Sequence, residues 1–238
     1  MKIKTAIVFE ATSGIGKLLT ELLLTDNYKV AITGRRLNEL QEIKNQHPNQ
    51  IIYKQNDIQQ VEDVEKVFNE IVDEFGKIDL IIQSSGVGFT NNKLIWEKEN
   101  TTIQTNVVGV TKLYDLAYTL FEQQQYGHLV GISSIASLRG NRFAPSYFAS
   151  KAYLESLYIK TKTIPFKQVF ITDIRPGYVD TAMALGDDIF WMTSLEKAGK
   201  QIYKAIKRKK RVAYISKRWI LIAWVLKLVP AKLLKLAT

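Results

Sequence analysis

The 238-residue chain reads as one α/β domain built on a parallel sheet and continued by a basic, apolar tail. Short apolar runs alternate with longer stretches of helical period along most of its length, which is the pattern of strand–helix–strand units. The runs themselves, IVF, VAI, LII and LVGI, are apolar at successive positions. Strands covered by helices on both faces read that way, whereas half-exposed strands alternate.

Along the chain, the first strand falls at 4–9, a turn at 10–16 and a helix at 17–25, where Leu18, Leu19, Leu22 and Leu23 recur on one face. Strands at 28–33, 50–54 and 77–82 follow with helices between them, the second at 61–75. A long helix around 101–124, a strand at 127–133, a helix at 144–163 and a strand at 168–174 extend the alternation. No repeat, low-complexity segment or linker interrupts it. Residues 1–215 are therefore assigned to the domain and 216–238 to the tail.

The chain has no cysteine, which excludes disulfides and thiolate chemistry and suits a reducing compartment. With only His47 and His128, both expected at the surface or a strand edge, no metal site is expected. The opening MKIKTAIVFEA lacks the apolar core and cleavage site of a signal peptide, so a cytoplasmic protein is expected. Of the 33 lysines and arginines, 12 fall in residues 200–238, which hold no acid, while the other 21 face 23 acids. The basic isoelectric point describes the tail and does not indicate a nucleic-acid-binding fold.

Three stretches carry chemistry. In the turn after the first strand, small residues with Gly14 and Gly16 precede a helix. Such a turn lets the backbone approach a phosphate, and a helix N-terminus favours an anion. The second strand ends in Gly34-Arg35-Arg36, where nucleotide folds place an acid for a ribose 2′-hydroxyl or an arginine for a 2′-phosphate. Arginines here favour NADP(H) over NADH; two solvated arginines opening a helix is the plainer alternative. Third, Ser134 is followed by Tyr147 and Lys151, the last two at i and i+4 on one helix face. An ammonium beside a phenol favours the phenolate. Lowering a tyrosine pKa by about 3 units needs roughly 4 kcal/mol. With Ser134 holding a substrate oxygen, the group would serve a carbonyl/alcohol pair. A chance YxxxK with a core tyrosine is the competing reading.

Taken in order, these motifs resemble the short-chain dehydrogenase/reductase family from residue 3 to about 211. TSGIG (12–16) resembles the end of its glycine-rich turn, Asp57 its adenine-contacting aspartate, and Gly86 of QSSG the last glycine of its NNAG motif. Asn106 in TNVVG, Ser134, Tyr147 and Lys151 match its catalytic residues, and Arg175-Pro176-Gly177 with Thr181 resembles its PG motif and nicotinamide threonine. The resemblance implies a Rossmann-like, doubly wound sheet of about seven parallel strands. It implies Tyr147 as acid/base, Lys151 lowering its pKa and holding the nicotinamide ribose, Ser134 orienting the substrate oxygen, and Asn106 supporting a water that links Lys151 to solvent. It assigns NADP contacts to Thr12, Ser13, Gly14, Ile15 and Gly16, to Arg35, Arg36 and Asp57, and to Ser85 and Gly86. Asn106, Tyr147, Lys151, Pro176, Gly177, Val179 and Thr181 complete that set. A homodimer or homotetramer through the two long helices is also implied.

The chain departs from that family at the cofactor. Glu10 stands where the first turn glycine is usual, and Gln83-Ser84-Ser85-Gly86 stands for NNAG. A mobile lid is expected over 182–199, with Met183, Leu185, Phe190, Trp191 and Met192 as an apolar inner wall and ordinary helix packing as the alternative. A lid of that kind implies an apolar carbonyl or alcohol substrate. In the tail the apolar run 219–226 is too short to span a membrane. Its flanking cations suit either a helix lying on anionic lipid or one packed on the domain or a second subunit, and Pro230 ends it. An NADP(H)-dependent oxidoreductase is the first reading. A non-catalytic nucleotide-binding regulatory or scaffold protein with a membrane-associating tail is the second.

Overall fold

The computed structural model describes residues 3–161, 168–183 and 191–228. Seven strands form one sheet: β1 (Thr5–Phe9), β2 (Lys29–Gly34), β3 (Ile51–Gln55), β4 (Leu80–Gln83), β5 (Tyr126–Ile132), β6 (Gln168–Pro176) and β7 (Val212–Ile215). Their order is β3-β2-β1-β4-β5-β6-β7, and all neighbours run parallel. The winding reverses between β1 and β4, and such a sheet opens a crevice at the carboxyl ends of its strands there.

Successive strand residues face opposite layers, so the sheet builds two cores. Val8, Ile32, Ile82 and Val130 pack against α1 (Gly14–Thr25), α2 (Leu37–Gln46) and α7 (Leu195–Lys207). Ile7, Ala31, Ile81 and Leu129 pack against α3 (Val61–Phe75), α5 (Val110–Gln124) and α6 (Pro145–Thr161). The longest pairing joins β5 to β6 from Tyr126↔Gln168 to Ile132↔Ile174. It delivers Ser133 and Ser134 to the same edge as Pro176 and Gly177.

The long helix expected around 101–124 is divided. α4 (Trp96–Ile103) runs into a π-helical turn, Gln104–Gly109, before α5 begins. Hydrophobic periodicity cannot register a turn widened by one residue, yet such turns recur at functional sites. β4 starts three residues later than expected, because Asp79 is spent on the edge, where its carboxylate accepts from Thr5 N at 2.9 Å.

His128 is a correction: it lies buried in central β5, with Nε2 2.7 Å from Thr172 Oγ1. Burial, with Lys209 adding to it, pulls its pKa down to about 3 and keeps the ring neutral. Of the expected lid, 184–190 with Leu185 and Phe190 lies outside the described residues, and residues from Leu195 belong to α7, which packs on α1. The tail forms α8 (Trp219–Leu228), docked on the domain through buried Trp219 and Ala223. Pro230, Lys232 and Lys235 lie outside the described residues, as do Lys162 and Thr163 at the end of the helix expected over 144–163. Among the described residues no helix is long and apolar enough to cross a membrane.

Candidate active site

Tyr147 and Lys151 sit one turn apart on α6, with Lys151 Nζ 5.6 Å from the tyrosine ring centroid. Lys151 is 4% exposed and its ammonium donates to the Ile132 carbonyl at the end of β5, at 3.1 Å. Burial pulls its pKa down to about 8, against the upward pull of Asp173. Ser134 stands beside the Tyr147 hydroxyl and pulls its pKa down, while its own Oγ donates to the Pro176 carbonyl at 3.4 Å. Its Oγ also accepts from Ala136 N at 3.1 Å, which opens the short 3-10 turn Ile135–Leu138 and fixes the hydroxyl. A Cβ at Gly88 would lie 2.6 Å from Tyr147 Cδ2, so the loop after β4 can lie on the ring only with glycine there.

The phenol itself departs from the expectation. Burial pushes the Tyr147 pKa up, and the neighbouring Ser134 hydroxyl only partly offsets this. In this pocket desolvation is the largest influence on the phenol. A phenol held in its protonated form is poised to donate a proton.

Asn106 lies in the π-helical turn, fully buried. Its Oδ1 accepts from Val87 N at 2.9 Å, and its Nδ2 donates to Val87 O at 2.8 Å and Ser150 Oγ at 3.0 Å. Ser150 Oγ in turn donates to the Tyr147 carbonyl at 2.8 Å. Asn106 thus clamps the loop after β4 to α6 from behind the cleft.

Beneath the serines lies a charged cluster that sequence reasoning missed. Asp173 of β6 is 3% exposed; it accepts from Ser133 Oγ and from Arg175 Nε, the latter at 2.6 Å. Arg175 also pairs with Glu155 at 2.8 Å. The signal was available, since charges at alternate positions 173 and 175 interrupt an otherwise apolar strand. Through Ser133 the cluster holds the chain at Ser134, and its acid faces Lys151.

The other end of the cleft is the turn after β1. A Cβ at Gly16 would lie 2.2 Å from Glu10 O and 2.5 Å from Ser84 Oγ, so only glycine lets α1 start this close to the turn. Ser13 precedes α1 without a side-chain cap, and the first turn holds no acid, which leaves backbone N–H groups for an anion. Glu10 adopts a left-handed φ of 60°. Burial pushes its carboxyl up, Arg35 pulls it down, Asp57 adds to the rise and Arg36 opposes it. Arg36 donates to Thr12 Oγ1 at 2.7 Å and pairs with Glu39 at 3.0 Å, whereas Arg35 is exposed.

These groups line one cleft of about 1410 Å³. Its wall includes Ser13, Gly14, Ile15 and Gly16 of the turn, then Arg35, Arg36, Asp57 and Gly86. Ser134, Tyr147 and Lys151, with Pro176, Gly177, Val179 and Thr181, complete it at the far end. Thr12, Ser85 and Asn106 stand behind the wall. Ser85 Oγ is buried with no hydrogen-bond partner among the described residues. A sequence profile of the short chain dehydrogenase family matches residues 4–188.

The chain belongs to the short-chain dehydrogenase family.

An uncharacterized oxidoreductase of Myxococcus xanthus is 30% identical to this short-chain dehydrogenase over 195 residues, 77% of this chain and 75% of that protein. One from Mycobacterium tuberculosis is 31% identical over 188 residues, 74% of each. Among solved structures, ElxO with NADP bound superposes with a TM-score of 0.78 at 22% identity, covering 90% of this chain and 97% of ElxO. An alcohol dehydrogenase from the archaeon Thermococcus sibiricus, complexed with 5-hydroxy-NADP, has a TM-score of 0.78 at 22% identity, covering 90% of this chain and 95% of that one. This short-chain dehydrogenase is therefore an oxidoreductase.

Proposed function

We propose that the enzyme uses NADP(H) to interconvert a ketone or aldehyde and an alcohol on an apolar substrate. The carrying observation is one cleft with Ser134, Tyr147 and Lys151 at one end and an uncapped helix N-terminus beside exposed Arg35 at the other. The residues present fit such a cofactor. Ser13 to Gly16 would hold the pyrophosphate, Arg35 a 2′-phosphate, Asp57 the adenine, and Lys151 the nicotinamide ribose. Arg36 has less to offer, since Thr12 and Glu39 already take its donors. The NADP bound to ElxO and the 5-hydroxy-NADP bound to the Thermococcus sibiricus enzyme support this choice.

Nicotinamide, when bound, supplies or takes the hydride at the carbon that bears the oxygen. The chain does the rest. Ser134 and Tyr147 hold that oxygen, and in reduction the protonated phenol gives it a proton. Lys151 keeps a positive charge beneath the ring, and Asn106 with Ser150 holds α6 and the loop after β4 in register and supports the water path from Lys151. The cleft is walled at the reaction end by Phe89, Phe148, Met183, Trp219 and Leu226, which favours an apolar substrate. Exposed Ile103 and Val108 beside α5 are consistent with a dimer or tetramer through these helices.

Titration of NADPH and NADH into the purified enzyme, read by fluorescence, tests the assignment. NADPH is expected to bind at least about tenfold more tightly, the worth of one charge-assisted contact. Failure of both to bind at millimolar concentration would overturn it and favour a non-catalytic scaffold in which Glu10 has closed the site.

A further inference from the structure

Helix α8 is apolar on two sides. Trp219 and Ala223 are buried on its inner side, and Trp219 and Leu226 line the cleft. Leu221, Trp224, Val225 and Leu228, at i, i+3, i+4 and i+7, form a second stripe turned outward, 65%, 62%, 48% and 71% exposed. A helix apolar all round is covered on both sides or faces lipid. Ten residues reach about 15 Å, half of a bilayer core of roughly 30 Å, so α8 can lie on a membrane but not cross it.

The segment after β4, whose Phe89 and Thr90 line the cleft, carries a second exposed apolar group. Leu94 and Trp96 are each 67% exposed, near exposed Phe143. The segment 139–143 joins this segment to α8: Arg139 donates to the Leu226 carbonyl at 3.1 Å, and the Phe143 carbonyl accepts from Asn91 N at 2.6 Å. Both exposed apolar groups therefore sit on segments that also supply cleft wall, through Trp219 and Leu226 on α8 and through Phe89 and Thr90 after β4.

Charge selects the occupant. Exposed Lys217 and Arg218 precede α8 and Lys227 lies within its sequence, with no acid from 217 to 228. A two-fold contact between copies would press the same acid-free segment against itself. An anionic surface neutralises it instead. Tryptophan and leucine beside lysine and arginine suit the boundary between lipid headgroups and acyl chains.

We infer that α8 seats the enzyme on an anionic lipid surface, with the substrate end of the cleft opening onto the bilayer. Given the apolar substrate proposed above, the carbonyl compound would pass from the acyl layer into the cleft without crossing water.

Cosedimentation of the full chain with vesicles tests this. Vesicles of phosphatidylcholine mixed with phosphatidylglycerol should bind at least about tenfold more tightly than phosphatidylcholine alone, with the gain lost in high salt. The double variant L221Q/W224Q should lose about tenfold or more while melting like the parent, because both side chains point to water. Equal sedimentation with both vesicle types, or none, overturns the inference, as does binding unchanged in the variant. A concentration-dependent dimer abolished by the variant would instead assign the face to a second copy. The assay contains neither cofactor nor substrate, so its failure and a failure to bind NADPH are read separately.

Discussion

The two ends of the cleft share one sheet edge and differ in how their polar groups are held. At the reaction end the acting groups have partners within the protein: Lys151 on the Ile132 carbonyl, Ser134 on Ala136 N and the Pro176 carbonyl. At the adenosine end Arg35 is exposed, and Glu10 is held in a left-handed conformation among Arg35, Asp57 and Arg36. Chemistry needs its groups fixed before the substrate arrives. A site that only grips a charged ligand can leave a charge for the ligand to satisfy. Strain at Glu10 therefore falls on affinity, not on proton transfer.

The sharpest break in this comparison is Tyr147→Phe. It should lower turnover by about 10²–10⁴-fold while leaving the NADPH titration nearly unchanged. An equal loss of cofactor binding would erase the distinction between the two ends.

Next in size is the pH dependence of Lys151, whose pKa burial brings down to about 8. In the reductive direction kcat/KM should fall about tenfold per pH unit above that point, as the ammonium loses its proton. Stability should move the other way. The folded pKa lies below the ordinary 10.5, so between about 8 and 10.5 the unfolded chain binds the proton more readily. The contribution from this residue is complete above the upper value and is lost as pH falls through the lower one. Rate profiles and melts of the enzyme and Lys151→Met check both signs; a flat alkaline rate limb would refute the first.

Arg35→Ala should weaken NADPH about tenfold and leave NADH alone; parallel losses for the two cofactors would remove Arg35 from the 2′-phosphate. The smallest effect is expected of Glu10→Gly. Relief of the left-handed backbone is worth about 1 kcal/mol, a rise of a few degrees in Tm, and NADPH should bind a few-fold more tightly. A lower Tm with weaker binding would show Glu10 to be a supporting group and not an obstruction.

Much of the sheet was legible because its strands are continuous apolar runs separated by helical periods. β7 was not assigned from its residues, because four residues at a sheet edge carry little periodicity. In the cleft, the turn and the Tyr147–Lys151 pair were legible because their geometry is local. Ser134 lies thirteen residues before Tyr147 and meets it only because β5 ends beside α6. The π-helical turn at Asn106 and the Asp173–Arg175–Glu155 cluster depend on packing between elements far apart in the chain. His128 reads as a polar strand-edge residue until β4 and β6 are placed on either side of it.

The order of residues settles what is local: which segments extend and which coil, the sense of the sheet, the reactive groups available, and the acid-free cationic tail. Folding alone decides how those groups behave, because desolvation depends on neighbours remote in sequence. It raises the Tyr147 pKa where proximity to lysine predicted a fall, and it neutralises His128. It also turns α8 from a tail into a wall of the cleft with one apolar face left outward.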